Sequence, residues 1–246
     1  MGGINVIFLI KKKHAVIAVA VFVTILVGIF AIIFMNNNSK GVFNTYNVTN
    51  KPIQQGSVDS NYIAFTCNVD WGNEVIPEML QTLKDKNVKI TFFVTGRWVK
   101  EFPDIFQLIV DEGHEIGSHG YQHLDYGKLS LDKNLEQIKK AEEEIQKITG
   151  EKPTLFAPPS GSYNENTLNA ASKLEYKTIL WTIDTIDWRQ GSTKEVIVDR
   201  VLNKENHKGA IVLMHPMPAT AKALPVLIDE FRNKGLEIGR VSDVLK

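Results

Sequence analysis

The hydrophobic and polar positions fall into three zones. The first is an apolar run from Ala15 to Met35, relieved only by Thr24 and Gly28. The second, residues 36–60, is rich in Asn, Ser, Thr, Gly and Gln and shows little apolar period. In the third, residues 61–246, short β-rich runs alternate with stretches of helical spacing. The pattern predicts strands over residues 62–70, 88–95, 115–119, 154–158, 177–183, 210–215 and 236–240. Between them it predicts helices over 73–87, 97–112 with a break at Pro103, 130–149, 164–174, 194–206 and 219–234. Ser130 is placed to cap the long charged helix and Gly150 to close it.

Strand and helix in alternation imply a parallel sheet with helices outside it. Six or seven units match a closed or slightly incomplete β/α barrel, with a doubly wound open sheet as the competitor. The barrel is favoured because the polar, chemically competent residues fall at the C-terminal ends of the strands. These are Asn68 and Asp70, His119 and His123, Asp184 and Asp187, and His215. In β/α barrels that rim carries the site, whereas an open sheet gathers its chemistry at one switch point.

The first zone reads as a membrane anchor. At ~1.5 Å per residue it spans the ~30 Å hydrocarbon core, and it is longer than the ~7–15 apolar residues of a signal-peptide core. Lys11, Lys12 and Lys13 precede it, and no positive charge follows until Lys40. The positive-inside bias puts residues 1–13 in the cytoplasm and 36–246 outside. The expected order is a cytoplasmic N-terminus (1–13), one transmembrane helix (14–35), an extracytoplasmic stalk (36–60) and a catalytic-type domain (61–246). The expected place is the cell membrane, in a single pass.

Charge excludes one class of partner. Lys and Arg number 28, and so do Asp and Glu, so no net field draws the chain to nucleic acid. The single cysteine, Cys67, has no partner within the chain and reads as a small core residue. Stability therefore rests on an ordinary hydrophobic core.

The candidate chemistry starts at His119 and His123. The glycines around this pair, Gly117 and Gly120, disfavour a helix, so the pair sits where a strand runs into a loop. There a His-x-x-x-His spacing can put both rings on one ion. Asp70 is the best carboxylate to complete such a site. In an extended strand Asn68 and Asp70 point the same way, about 7 Å apart.

Taken together, these strand ends resemble the polysaccharide deacetylases of the NodB-homology kind, carbohydrate esterase family 4, over about residues 60–246. Five short motifs stand in that family's order. They are Thr66-Cys67-Asn68-Val69-Asp70-Trp71-Gly72, His119-Gly120-Tyr121-Gln122-His123, Ala157-Pro158-Pro159-Ser160-Gly161, Asp184-Thr185-Ile186-Asp187-Trp188 and Leu213-Met214-His215-Pro216. The form of the first motif is similar to a membrane-anchored, sporulation-type branch. The resemblance implies a distorted or incomplete β/α barrel and a hydrolase that removes acetyl groups from a cell-wall or chitin-like amino-sugar polymer. It also implies a divalent metal, zinc or alternatively cobalt.

The resemblance assigns roles as well. Asp70, His119 and His123 hold the metal. Asp70, Asn68, Asp184, Asp187 and His215 are the catalytic candidates, with His215 as general acid. Trp71, Pro158, Pro159, Trp188 and Leu213 contact the sugar or its acetyl methyl. Three departures bear on activity. Asn68 stands where the family has its catalytic-base Asp, if the motif is anchored at Thr66. Ala157 stands for an Arg, and Ser160 for a Tyr. Three readings stay open: Asp70 as metal ligand with the base elsewhere, Asp70 as base with Asn68 beside the metal, or a catalytically impaired protein that binds glycan.

Overall fold

The computed structural model describes residues 51–246, with Gly28 alone among the first fifty. The expected transmembrane helix and most of the expected stalk lie outside the described residues. Among the described residues no helix is long and apolar enough to cross a membrane.

Among the described residues eight strands, all parallel, form one curled sheet with helices outside it, an incomplete barrel. In chain order the elements are β1 (Tyr62–Val69), α1 (Ile76–Asp85), β2 (Thr91–Val94), α2 (Gly96–Glu101), α3 (Pro103–Asp111) and β3 (Glu115–Ser118). Next come α4 (Leu131–Thr149), β4 (Leu155–Phe156), α5 (Glu165–Lys173), β5 (Lys177–Thr178), β6 (Ile183–Asp184) and α6 (Lys194–Leu202). The chain ends with β7 (Ile211–Met214), α7 (Pro218–Asn233), β8 (Glu237–Gly239) and α8 (Val241–Val244). Neighbours run β5-β4-β3-β2-β1-β7-β6, and β8 pairs with the start of β1.

The helix boundaries follow local chemistry. Ser130 caps α4 by accepting from the Lys133 amide, and Gly150 ends it in the left-handed conformation. The break expected at Pro103 is real: α2 stops and α3 starts there, because proline removes an amide donor.

β1 shows how the sheet is buried on both faces. Its odd residues Ile63, Phe65, Cys67 and Val69 join the large cluster packed against the outer helices. Of its even residues, Ala64 belongs to the barrel interior with Phe93, Leu155, Ile179 and Ile211, while Thr66 and Asn68 are also buried. Val241 and Val244 of α8 close this interior core. Cys67 is fully buried, which pushes its thiol well up and leaves it inert.

Two expectations about the strands need correction. The run 177–183 is two strands, not one: β5 pairs with β4, and β6 pairs with β7. The sheet opens between them. The expected stalk also loses its last residues to the barrel. Ile53 forms a parallel bridge with Ile179, and Gln55 an antiparallel bridge with Ala210. This strap lies across the opening between β5 and β7.

His114, just before β3, has a buried imidazole whose Nδ1 accepts from the Ile90 amide at 3.1 Å. Burial and the nearby Lys89 charge push its pKa down to about 4. The unfolded chain takes up this proton from about pH 6.5 downward, and the folded chain does not until about pH 4. Stability is therefore complete above about pH 6.5 and falls as the pH drops toward 4. Urea unfolding at pH 7.5 and pH 5 is expected to show a loss on the order of 1–2 kcal/mol from this group. In His114→Gln the difference between the two pH values should shrink by that amount.

Candidate active site

At the C-terminal rim of the strands lies a cavity of about 350 Å³. Asn68, Trp71, His119, His123, Ser160, Trp181, Asp184, Trp188, Leu213 and His215 line it. Eight of the expected site residues therefore meet in one place: Asn68, Trp71, His119, His123, Asp184, Trp188, Leu213 and His215.

His119 follows β3 directly and is 1 % exposed. Its amide donates to the Val94 carbonyl at 2.8 Å, and its Nδ1 donates to the Ala157 carbonyl at 2.7 Å. That bond fixes the tautomer and leaves the Nε2 lone pair unprotonated. Burial, then the neighbouring His123, lowers its pKa to about 3. The imidazole is neutral, as a ligand or acceptor must be. His123 stands at 5.2 Å between ring centroids in an edge-to-face pair.

Two glycines make this geometry. Gly120, between the imidazoles, has φ +75°, and a Cβ there would lie 1.8 Å from Tyr126 Oη. Gly72 has φ +79°, and a Cβ would lie 2.4 Å from the Pro216 carbonyl oxygen. The second close approach lets Trp71 lie parallel over His215, with centroids 5.8 Å apart and planes at 10°.

His215 follows β7 and is oriented by Asp187. Its Nδ1 donates to Asp187 Oδ1 at 2.8 Å and its amide to Oδ2 at 2.7 Å. Thr220 Oγ1, in α7, donates to the same Oδ2 at 2.6 Å. Asp187 is 1 % exposed, so these three donors replace its hydration. Its turn is strained: Ile186 has φ 49°, rare for a β-branched residue. Asp184 Oδ1 accepts from the Ile186 amide at 2.8 Å, and Ser192 Oγ donates to the Ile186 carbonyl at 2.7 Å. Arg200 donates to the Thr185 carbonyl beside it.

Asp70 is placed differently. It does not line the cavity. Arg97 Nε donates to its Oδ1 at 2.8 Å, the Arg97 Nη2 amine pairs with Oδ2, and Thr95 Oγ1 donates to Oδ1 at 2.7 Å. Burial works against ionisation here, but the bonds from Arg97 and Thr95 outweigh it and hold the carboxyl below its usual pKa.

Pro158 and Pro159 do not line the cavity either. They form the turn that presents the Ala157 carbonyl to His119 and sets Ser160, at φ 55°, on the wall. Trp188 is 54 % exposed and Trp71 42 %, so both are rim residues, while Leu213 is buried at the floor.

Sequence reasoning missed Trp181, Ser160, Thr220 and Arg97. Trp98 is 1 % exposed in the core, whereas Trp181 reaches the cavity. Nothing in the local sequence distinguishes Thr220. Arg97 carried one signal, its place just after the Thr95 cap at the end of β2.

The structure is thus a parallel half-barrel whose rim joins two imidazoles, an Asp–His dyad and three indoles. Residues 55–179 match the polysaccharide deacetylase family, and the chain belongs to it. It is 42 % identical over 195 residues to the uncharacterized protein YlxY of Bacillus subtilis, covering 79 % of this chain and 60 % of YlxY. It is 31 % identical over 194 residues to the peptidoglycan-N-acetylmuramic acid deacetylase PdaA of the same organism, covering 77 % of this chain and 73 % of PdaA. Among solved structures, a CE4 family pseudoenzyme from Bacillus anthracis superposes with a TM-score of 0.77 at 39 % identity, over 80 % of this chain and 69 % of that one. A mutant of that pseudoenzyme with restored enzymatic activity matches equally well, with a TM-score of 0.77.

The family implies a divalent metal, and the side chains as arranged do not fit one. Two imidazoles face the cavity, but the carboxylate expected to join them is bound by Arg97 and Thr95. Among the described residues no group of three or more His, Cys, Asp or Glu is placed to hold a metal ion. Asn68 offers only a neutral amide oxygen, a weak donor beside a carboxylate.

Gly120→Ala is expected to cost more than about 2 kcal/mol, since the site demands both a positive φ and empty space. A thermal melt followed by near-UV circular dichroism measures this. An unchanged melt would mean that the loop carrying His119 and His123 has slack.

Proposed function

We propose that this chain is a wall-polysaccharide-binding member of the deacetylase family whose hydrolytic step is disabled. The ligand is an N-acetylated amino-sugar polymer of the peptidoglycan type. The observation that carries this reading is Asn68: it lines the cavity with the two imidazoles, and with the first motif anchored at Thr66 it stands where the family has its base. An amide cannot take a proton from water, and losing a general base costs about 10²–10⁴ in rate. The nearest alternative in the chain, Asp70 just past the end of β1, is sequestered by Arg97 and Thr95.

The remaining parts suit binding. The neutral His119 imidazole can accept from an amide or hydroxyl of the ligand. Leu213 at the floor suits an acetyl methyl. The Trp71 and Trp188 rings on the rim present flat apolar faces to pyranose C–H bonds. Asp187 keeps the His215 proton on Nδ1, so Nε2 is the nitrogen that meets a ligand. The similarity to a CE4 family pseudoenzyme supports the reading. Binding outside the cell, on a tether formed by residues 14–35, belongs to the same proposal and rests on the apolar run and its flanking lysines.

A second reading is slow hydrolysis. Asp184 is the carboxylate that lines the cavity among the described residues, and the Asp187–His215 dyad is intact. Asp184 would then act as base and His215 as acid.

The test uses full-length protein in detergent. Co-sedimentation with peptidoglycan is expected, weakened by His119→Ala and Trp71→Ala, with no acetate released above background. Asn68→Asp puts a carboxylate in the cavity and is expected to raise acetate release at least about tenfold. Wild-type release that equals Asn68→Asp and vanishes in Asp184→Asn would establish the second reading. Absence of wall binding in a folded protein would defeat the first.

A further inference from the structure

Asp70, the carboxylate expected to complete a metal site, is held in an ion pair with Arg97. Asp70 stands just past the end of β1, and its side chain is 6 % exposed. A carboxylate this buried needs a counter-charge. In a metal site the cation provides it. Here a guanidinium does, through two contacts from Arg97, with Thr95 as a third donor. Paired contacts of this kind hold both partners in one orientation.

Arg97 is itself anchored to the imidazole loop. The amide of Gly96 donates to the Gly120 carbonyl at 2.9 Å, and the amide of Arg97 donates to the Tyr121 carbonyl at 3.1 Å. Both carbonyls lie between His119 and His123. The start of α2 is thus fastened to the segment that carries the two imidazoles. The carboxylate of Asp70 is also near enough for His123 to act on it electrostatically. Carboxylate, guanidinium and imidazole form one neighbourhood, and its cation is covalently part of the chain.

We infer that Arg97 is a resident cation that takes the place of the family's metal: it neutralises Asp70 and keeps a divalent ion off the His119–His123 pair. Two effects act together. The guanidinium claims both oxygens of the carboxylate that would complete a three-ligand set. Its fixed positive charge also opposes a second cation nearby. This inference goes beyond the proposed wall binding and does not depend on it, since its readout needs no glycan.

The experiment is a titration of full-length, metal-free protein in detergent with Co²⁺, followed by its visible d–d bands, and with Zn²⁺ by calorimetry. Wild type is expected to take up no stoichiometric metal at the histidine pair. Arg97→Met is expected to bind Co²⁺ at least about tenfold more tightly, the size of change that altering a ligand's partner brings. The gain should disappear in Arg97→Met/Asp70→Asn and in Arg97→Met/His119→Ala. Arg97→Lys keeps the charge and should stay close to wild type. A folded Arg97→Met with no gain overturns the inference. Wild-type binding of one Co²⁺ that is lost in His119→Ala overturns it too, whether or not Arg97→Met folds.

Discussion

The constraint behind this structure is that a parallel sheet wrapped by helices has no wet face. The central strands β1, β2 and β7 are buried inside and out beyond Tyr62, so polar side chains are costly along their length. They are free to gather only where the strands end. β1 shows the rule: Ile63, Phe65, Cys67 and Val69 face the outer helices, Ala64 the inner core, and Asn68 and then Asp70 come as the strand runs out. The same rule places His119 after β3, Asp184 and Asp187 at and after β6, and His215 after β7. The cavity is where the sheet's two-sided burial stops.

Behind the residues that line that cavity, two buried carboxylates have opposite fates. Asp187 is neutralised by hydrogen bonds alone, from a backbone amide, an imidazole and a hydroxyl. It remains coupled to a ring that faces the cavity. Asp70 is neutralised by a formal charge and makes its hydrogen bonds to Arg97 and Thr95, outside the cavity lining. Both solutions satisfy a buried anion, and only the first leaves it useful for proton transfer. A rim can therefore keep the outline of a hydrolase while the identity of the counter-ion decides what chemistry remains.

Much of this was legible in the sequence, for physical reasons. The periodicity of apolar residues gave the strands and helices, because burial on a sheet or helix face imposes those periods. The site residues were legible because imidazoles and carboxylates at the ends of apolar runs have no packing role. What escaped were relations that local sequence does not encode. Lys177 to Ile183 reads as one strand, yet β5 and β6 pair with different neighbours, and only the sheet order reveals it. Ile53 and Gln55 sit in a polar stretch, so their pairing with the barrel left no periodic trace. Thr220 bonds to Asp187 across 33 residues. Trp181 has the same composition signal as Trp98, and only the curl of the sheet turns one to the cavity and the other to the core.

The strap has a mechanical meaning. Its backbone is joined to the barrel by four hydrogen bonds, each 2.8 Å: Ile53 to Thr178, Leu180 to Ile53, Gly56 to Gly209 and Ser57 to Val244. Tension applied at residue 51 meets these bonds before it reaches β1. The strap therefore acts as a strain relief: a modest pull on the N-terminal side is resisted at the opening of the barrel, and the strand that carries Asn68 does not feel it until the strap has peeled away.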